Sequence, residues 1–293
     1  MKQLLSTLLL ALLTALPATA QTDAPGWLSR ATEAYTAGQL DSALMHVDRA
    51  IALDPGSALA FKLRGDIHQR QHQPELAEAD YQRSEQLDDG NPRLYVSLSA
   101  LQIAGGNAKG GLRYADKAIA LDAKDADAWY NRAWALYQGN DLDLALKSVR
   151  QALELVPQFP EALYLSGVIK GARYDEKAGV EEISEALRLN PAIPGGLMSK
   201  AVLQYEAKAY QDAITTFSEV IASDTTELAD AFYYRADCHY NLGDKESACA
   251  DWQRSLSLGD KDAAFIKRNY CDTDANKIPK KPVRKRRRTT IEF

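Results

Sequence analysis

The sequence predicts an all-α fold, an α-solenoid superhelix of seven helix-turn-helix units followed by a C-terminal capping helix. Large residues recur every 34 positions, with one step of 35, and small residues recur four and sixteen positions after each of them. A fixed period of this length is typical of stacked units that share one continuous core. The large residues are Trp27, Phe61, Tyr95, Trp129, Leu163, Leu197 and Phe232.

The small residues explain how two short helices can pack as one unit. Each unit has room for two amphipathic helices of about a dozen residues, and neither would be stable alone. Small side chains let the helix axes approach to roughly 8 to 10 Å, and the large residue fills the space beside them. The two small columns are Ala31, Gly65, Ser99, Ala133, Gly167, Ala201 and Ala236, and Ala43, Ala77, Gly111, Ala145, Gly179, Ala213 and Ala248.

This pattern resembles the tetratricopeptide repeat family, whose 34-residue unit has a large residue early and small residues where its helices cross. The resemblance covers seven units over residues 24–262. It implies a concave face lined by the first helix of each unit, with the second, fifth, ninth, twelfth and thirteenth positions pointing into it. After the last unit, residues 263–271 are expected to form a helix that covers the exposed end.

Those inward positions predict a partner-binding groove lined with rings and aliphatic side chains. An exposed ring with a polar tip buries a large area at little entropic cost, which suits recognition of a peptide segment. Trp134 is expected to contact the partner, whereas Trp129 is assigned to the packing stripe; packing of some groove residues on the neighbouring first helix is the alternative. The predicted binding residues are Tyr130, Trp134, Tyr137, Tyr164, Val168, Met198, Tyr205, Tyr233 and Tyr240.

Charge in the groove suggests the chemistry of the partner. Family members that bind a C-terminal carboxylate place Lys, Asn and Arg in the groove, and here only Lys62 and Arg70 resemble that set, with Asp66 in place of the usual Asn. A basic or aromatic ligand fits the acidic flanks better. The acidic groove positions are Asp127, Glu161, Glu206, Asp230 and Asp237.

Catalytic motifs are absent from the sequence, which has no GxSxG, HExxH, GxxxxGK[ST] or GxGxxG. His68 and His72 have the i, i+4 spacing of metal ligands, but no carboxylate or thiol completes a site. We therefore expect a non-catalytic adaptor or scaffold with no catalytic residues, no bound metal and no cofactor. The alternatives are a saccharide-binding module, because aromatic grooves also stack on sugars, and an accessory subunit of an envelope enzyme complex.

Residues 1–20 have the features of a secretory signal peptide. Lys2 is followed by a short apolar run and by Ala18-Thr19-Ala20, a small-residue cleavage site that would leave Gln21 as the first mature residue. The apolar run is shorter than the ~20 residues that span a bilayer, and no later run could span one. The sequence predicts an exported protein, periplasmic or secreted, with no transmembrane segment after cleavage.

The three cysteines lie near the C-terminal end, at Cys238, Cys249 and Cys271. An exported chain can form a disulfide, and the odd number leaves one cysteine outside any pairing. Cys249 and Cys271 are the candidate pair, because their bond would link the capping helix to the last unit. Three buried small hydrophobic residues are the alternative.

Residues 272–293 are predicted to be a disordered basic tail, with eight Lys and Arg from Lys277 onward. Residues 21–276 contain 26 Lys and Arg against 39 Asp and Glu, a net charge of −13. Behind a signal peptide the tail would not meet nucleic acid. Its expected targets are an anionic envelope surface or an acidic protein, including the body of this chain.

Overall fold

A computed structural model describes residues 23–223 and 228–279, and these residues form an all-α structure, as the period predicts. The predicted signal peptide, residues 1–20, and residues 280–293 of the predicted tail lie outside the described residues. The helices are α1 (Ala24–Thr36), α2 (Leu40–Leu53), α3 (Ala58–Arg70), α4 (Pro74–Leu87), α5 (Pro92–Ala104), α6 (Ala108–Leu121), α7 (Ala126–Gln138), α8 (Leu142–Leu155), α9 (Pro160–Ala172), α10 (Glu176–Leu189), α11 (Gly196–Glu206), α12 (Tyr210–Ala222), α13 (Leu228–Asn241), α14 (Lys245–Ser257) and α15 (Lys261–Ile266).

These helices form seven antiparallel pairs, from α1 with α2 to α13 with α14, followed by α15. The chain divides into two compact units: the first contains α1 to α4 and the second contains α5 to α15. Inside each unit the second helix of one pair packs on the first helix of the next. The solenoid of about seven helix pairs with a terminal helix is confirmed. Within the described ranges, no helix is long and apolar enough to cross a membrane.

The close approach within a pair depends on the small columns, and α9 with α10 shows why. A Cβ atom added to Gly167 would lie 2.6 Å from Ile183 Cγ1 and 2.8 Å from the carbonyl oxygen of Gly179. Distances this short exclude any side chain at that crossing. The corresponding alanines of the other pairs, including Ala133 and Ala145, are fully buried.

The turn inside each pair contains one residue with positive φ, and these residues keep the same spacing as the packing columns. They are Gly38, His72, Gly106, Asn140, Tyr174, Lys208 and Gly243. Only three of them are glycine, so four turns adopt a left-handed conformation that costs a side-chain-bearing residue roughly 1 to 2 kcal/mol. Tertiary packing of the pair, rather than the identity of the turn residue, determines this conformation.

A recurring arginine links the second helices on either side of it. Arg64 Nε and Nη2 donate to both carboxylate oxygens of Asp80 at 2.8 and 2.7 Å, and its Nη1 donates to Asp48 at 2.9 Å. Asp48 lies on α2 and Asp80 on α4, so one guanidinium on α3 connects two helix pairs. The same contact recurs in the second unit, where Arg235 on α13 binds Asp251 on α14 and Ser218 on α12.

The C-terminal end of the second unit is closed by α15 and a π-helical turn, Lys267–Cys271. Ile266 and Tyr270 are buried against Trp252, and Tyr270 contacts its ring edge-on at a centroid distance of 6.1 Å. A disulfide between Cys249 and Cys271, the candidate pair of the sequence analysis, joins α14 to the π-helical turn. Cys238 is buried and lies outside this disulfide.

The first residues of the predicted tail are packed, which corrects the expectation of disorder for residues 272–279. Lys245 Nζ donates to the carbonyl oxygens of Thr273 and Ala275 at 2.7 and 3.1 Å. Ile278 is buried in the cluster that contains Trp252 and Tyr270. The composition of the tail indicated disorder, but the hydrogen bonds from Lys245 and the burial of Ile278 hold this segment against the last pair.

Replacing Arg235 with alanine tests the contribution of the recurring arginine. Asp251 is buried, so the substitution leaves a carboxylate without its guanidinium, and we expect the free energy of unfolding to fall by about 3 kcal/mol. Urea denaturation followed by helical circular dichroism measures it. Arg188→Ala is the control, because its ion pair with Glu185 is exposed to solvent and its loss should change stability much less. Equal losses in the two variants would contradict a structural role for Arg235.

Removing the disulfide tests how the end of the second unit is stabilised. The bonded cysteines are 22 residues apart, and a loop of this size stabilises by about 3 kcal/mol through the unfolded chain. We expect the double variant Cys249→Ser, Cys271→Ser to lose about that amount, with amide exchange rising first in α15. A loss confined to α1–α4 would contradict the assignment.

Candidate protein-binding face

The first helices of the second unit form one continuous layer. Contacts join α5 with α7, α7 with α9, α9 with α11 and α11 with α13, whereas consecutive second helices have no comparable contacts in the described part of the chain. The first helices are therefore the more closely packed layer. We call the surface that they form the first-helix face.

Side chains cross from one first helix to the next and fix their spacing. Asn131 Nδ2 on α7 donates to the carbonyl oxygen of Val96 on α5 at 3.0 Å, and Gln138 Nε2 donates to that of Ile103 at 3.1 Å. Sequence reasoning did not identify these bridging amides. The sequence does contain a signal for these two amides, since each lies 35 residues after its acceptor, one position more than the 34-residue repeat.

Six of the nine predicted binding residues are buried, which corrects the expectation that they line an open groove. Large side chains at the inward positions of neighbouring first helices fill the space between those helices. Packing on the neighbouring first helix was the alternative to an open groove, and it applies to these six residues. The buried residues are Trp134, Tyr137, Tyr164, Val168, Met198 and Tyr233.

Trp134 is the clearest case, because its side chain is 2% exposed. Its ring contacts Tyr137 edge-on at a centroid distance of 5.5 Å and lies in a cluster with Tyr164 and Val168. Tyr164 OH forms a hydrogen bond with Ser199 Oγ on α11 at 2.9 Å, which extends the cluster toward the next first helix. Trp134 therefore belongs to the core of the second unit.

Trp129 behaves in the opposite way. It was assigned to the packing stripe, yet its ring is only partly buried, and its indole N–H donates to the carbonyl oxygen of Ala123 at 3.0 Å. Ala133 and Leu136, which lie four and seven residues further along the same face of α7, are buried.

The three remaining predicted residues, Tyr130, Tyr205 and Tyr240, are partly exposed on the first-helix face. Tyr130 packs on Phe159 at a centroid distance of 5.1 Å, and burial raises the pKa of its hydroxyl. Tyr205 OH donates to Asp237 Oδ2 at 3.2 Å. Burial and then the charge of Asp237 raise the pKa of Tyr205, so the phenol stays protonated at any physiological pH.

Acidic side chains lie between these rings. Glu161 on α9 and Glu206 on α11 are partly exposed, whereas Asp230 and Asp237 on α13 are buried beneath the surface. Asp127 on α7 differs, since Arg93 Nη1 binds its carboxylate at 2.7 Å and offsets its charge. The other four acidic positions of this face lie on α9, α11 and α13.

The two cations that resembled a carboxylate-binding pair both have partners inside the first unit. Lys62, one of the two cations that resembled such a site, binds Asp66 at 2.5 Å. Arg70, the other, donates to the carbonyl oxygen of Tyr35 at 3.1 Å and lies over its ring. Both cations are engaged within the unit.

The predicted histidine pair does not converge on one point. His68 Nδ1 lies 2.8 Å from Gln73 Oε1 and its Nε2 lies 3.7 Å from Asp80, while His72 is an exposed turn residue. The described residues contain no group of three or more His, Cys, Asp or Glu that could hold a metal ion. A surface cavity of about 660 Å³ is lined by Asn140 in the α7–α8 turn, by Asp143 at the start of α8 and by Tyr174 in the α9–α10 turn.

Comparison with known proteins identifies the repeat. Two family models described as tetratricopeptide repeat match the chain, one over residues 28–92 and 101–169 and the other over residues 230–264, which together exceed half of its length. A UDP-N-acetylglucosamine–peptide N-acetylglucosaminyltransferase of Giardia intestinalis is 29% identical over 89 residues. That match covers 30% of this chain and 6% of the enzyme, so the chain spans a small part of this curated relative.

Solved structures with the same fold include the Cut9–Hcn1 complex of the APC/C, with a TM-score of 0.70, 17% identity, and coverage of 75% of this chain and 44% of that chain. PilW, a type IV pilus biogenesis factor, has a TM-score of 0.64 and 16% identity, with coverage of 71% of this chain and 97% of that chain. A tetratricopeptide repeat protein from Parabacteroides merdae has a TM-score of 0.56 and 16% identity, with coverage of 82% of this chain and 95% of that chain. At these identities the likeness concerns the fold.

Replacing each of the two tryptophans with alanine tests which ring belongs to the core. We expect Trp134→Ala to lower the free energy of unfolding by about 3 to 5 kcal/mol, because it leaves a large cavity among buried rings. Trp129→Ala should cost less, since that ring is partly exposed. Chemical denaturation of the two variants provides the comparison, and a larger loss for Trp129→Ala would show that the sequence-based assignment was right.

Proposed function

This chain belongs to the tetratricopeptide repeat family, and from that premise we propose that it is a non-catalytic adaptor that binds a protein segment along the first-helix face of its second unit. Repeats of this family mediate protein and peptide binding. The fold is a scaffold, and its conserved geometry supplies a surface rather than a reaction centre.

The observation that supports this face most is the alternation of partly exposed tyrosines with carboxylates. In chain order, the partly exposed residues are Tyr130 on α7, Glu161 on α9, Tyr205 and Glu206 on α11, and Tyr240 on α13. The buried rings beneath hold these groups in place, so little side-chain entropy is lost on binding. A segment with Lys or Arg between apolar side chains complements this surface.

Saccharide binding loses its main support once the rings are located. Stacking on a sugar needs an exposed ring face, and Trp134, Tyr137 and Tyr164 are buried. The similarity to the Giardia transferase covers only 89 residues and does not assign that enzyme's activity to this chain.

The proposed location is outside the cytoplasm, at the cell envelope. The features of a signal peptide in residues 1–20 favour export. The disulfide between Cys249 and Cys271 is consistent with it, because structural disulfides persist in oxidising compartments. Fractionation of cells, with the length of the mature chain measured by mass spectrometry, tests this proposal.

A peptide-display experiment tests the binding face. We expect the mature chain to select peptides that combine Lys or Arg with aromatic or aliphatic residues, and Glu161→Arg with Glu206→Arg to weaken their binding at least about tenfold, since like charges then face each other. The matched control is Glu181→Arg with Glu219→Arg, which makes the same charge change at exposed positions of the second helices α10 and α12.

Selection of acidic peptides would contradict the proposal, as would equal loss of binding in both double variants. Circular dichroism of each variant confirms that the helices are retained. An unchanged spectrum separates lost binding from lost folding.

A further inference from the structure

We propose that residues 280–293 of this chain bind its own first-helix face, over α13, α11 and α9, as an intramolecular ligand. Three observations support this proposal. Residues 272–279 bring the chain to this face along a fixed path, the residues that follow are numerous enough to cross it, and the basic tail is opposite in charge to the carboxylates of the face. This proposal rests on the proposed function in one respect, because both place a ligand on the first-helix face.

The last described residues bring the chain to the edge of the first-helix face. Tyr240 lies on α13 at an inward position, and its hydroxyl accepts a hydrogen bond from the backbone N–H of Ile278 at 3.4 Å. Ile278 itself is buried among Trp252, Tyr270 and their neighbours. The chain therefore leaves the described structure at Pro279, next to a residue of this face.

Several contacts fix this point of departure. The disulfide at Cys271 and the two hydrogen bonds from Lys245 Nζ hold the preceding segment on α14. Lys245 Nζ also lies 4.6 Å from the centroid of the Tyr270 ring. The segment is thus attached at its start, in its middle and at Ile278.

Distance permits the contact. Fourteen residues follow Pro279, and an extended chain of that length spans up to about 46 Å. Neighbouring packed helices are about 8 to 10 Å apart, so the step from α13 to α9 needs roughly 20 Å. Asp237 is one turn before Tyr240 on the same helix and accepts a hydrogen bond from Tyr205 of α11, which places α11 within reach of the first basic residues.

Charge favours the contact. Lys280 and Lys281 follow Pro279 directly, and five more basic residues lie between positions 284 and 288. Glu161 and Glu206 are partly exposed on the face, with Asp230 and Asp237 beneath. Attraction between the tail and the face is therefore expected at low salt.

Limited trypsin digestion of the full chain tests this proposal without any added ligand. A bound tail is cleaved slowly after its Lys and Arg residues, and mass spectrometry measures the released peptides. We expect Glu161→Gln with Glu206→Gln to speed tail cleavage about tenfold at low salt, since several charge contacts are lost together. Near 1 M salt, where the screening length is about 3 Å, wild type and variant should be cleaved alike. The matched control, Glu181→Gln with Glu219→Gln on the second helices, should match wild type.

Carbodiimide cross-linking identifies the position of the tail. We expect Lys280 or Lys281 to link to Glu206 within one chain at every protein concentration. Links to second-helix carboxylates, links only between two chains, or equal cleavage of wild type and the face variant would overturn the proposal.

A second measurement separates this proposal from the proposed function. The variant Arg284→Ser, Arg286→Ser, Arg287→Ser, Arg288→Ser should bind the selected peptides at least about fivefold more tightly, because the internal competitor is weakened. If the chain binds peptides while its tail is cleaved freely by trypsin, only the inference that the tail binds the first-helix face is overturned. A tail that is protected from trypsin, with no peptide binding by the wild type or by the fourfold variant, would overturn only the proposed function.

Discussion

The close approach of two helices at a small-residue crossing is the constraint on which this structure depends. At Gly167 and Gly179 no side chain fits between the helices, and small residues, mostly buried alanines, occupy the same positions in the other pairs. Because the crossing excludes large side chains, the rings of each pair must lie on other helix faces. In the second unit many of them lie between neighbouring first helices, where they become the core instead of a binding surface.

The fold could be predicted from the sequence because its signal repeats. The large residues and the two small columns each recur seven times, so a chance agreement at one position does not affect the assignment. The cysteine pairing could also be predicted, since Cys249 lies in the last unit and Cys271 ends the helix that is expected to cover that unit. Residues 272–279 could not, because the packing of one isoleucine depends on the pocket formed by Trp252, Tyr240 and Tyr270.

The exposure of the candidate site could be predicted only in part. A position that faces inward in every unit can be open or buried, and the outcome depends on the side chains that the next first helix presents. Trp134 is buried because Tyr137, Tyr164 and Val168 are large and adjacent. Tyr205 remains partly exposed. The arginine column was readable in principle, because Arg64, Arg132 and Arg235 follow the large residue by three positions and precede Asp80, Ser148 and Asp251 by sixteen.

Attachment of the tail changes how strongly it needs to bind. A segment held at Ile278 meets the first-helix face at an effective concentration on the order of millimolar, which is typical for a short tether. An intrinsic dissociation constant well below that value is then enough for the bound form to predominate, although a free peptide of the same sequence would bind weakly. An external partner must overcome this occupancy, so its apparent affinity is reduced by the fraction of chains whose face is open. Because the attraction is electrostatic and partly solvent-exposed, that fraction rises with ionic strength, and the tail makes the availability of the face sensitive to salt.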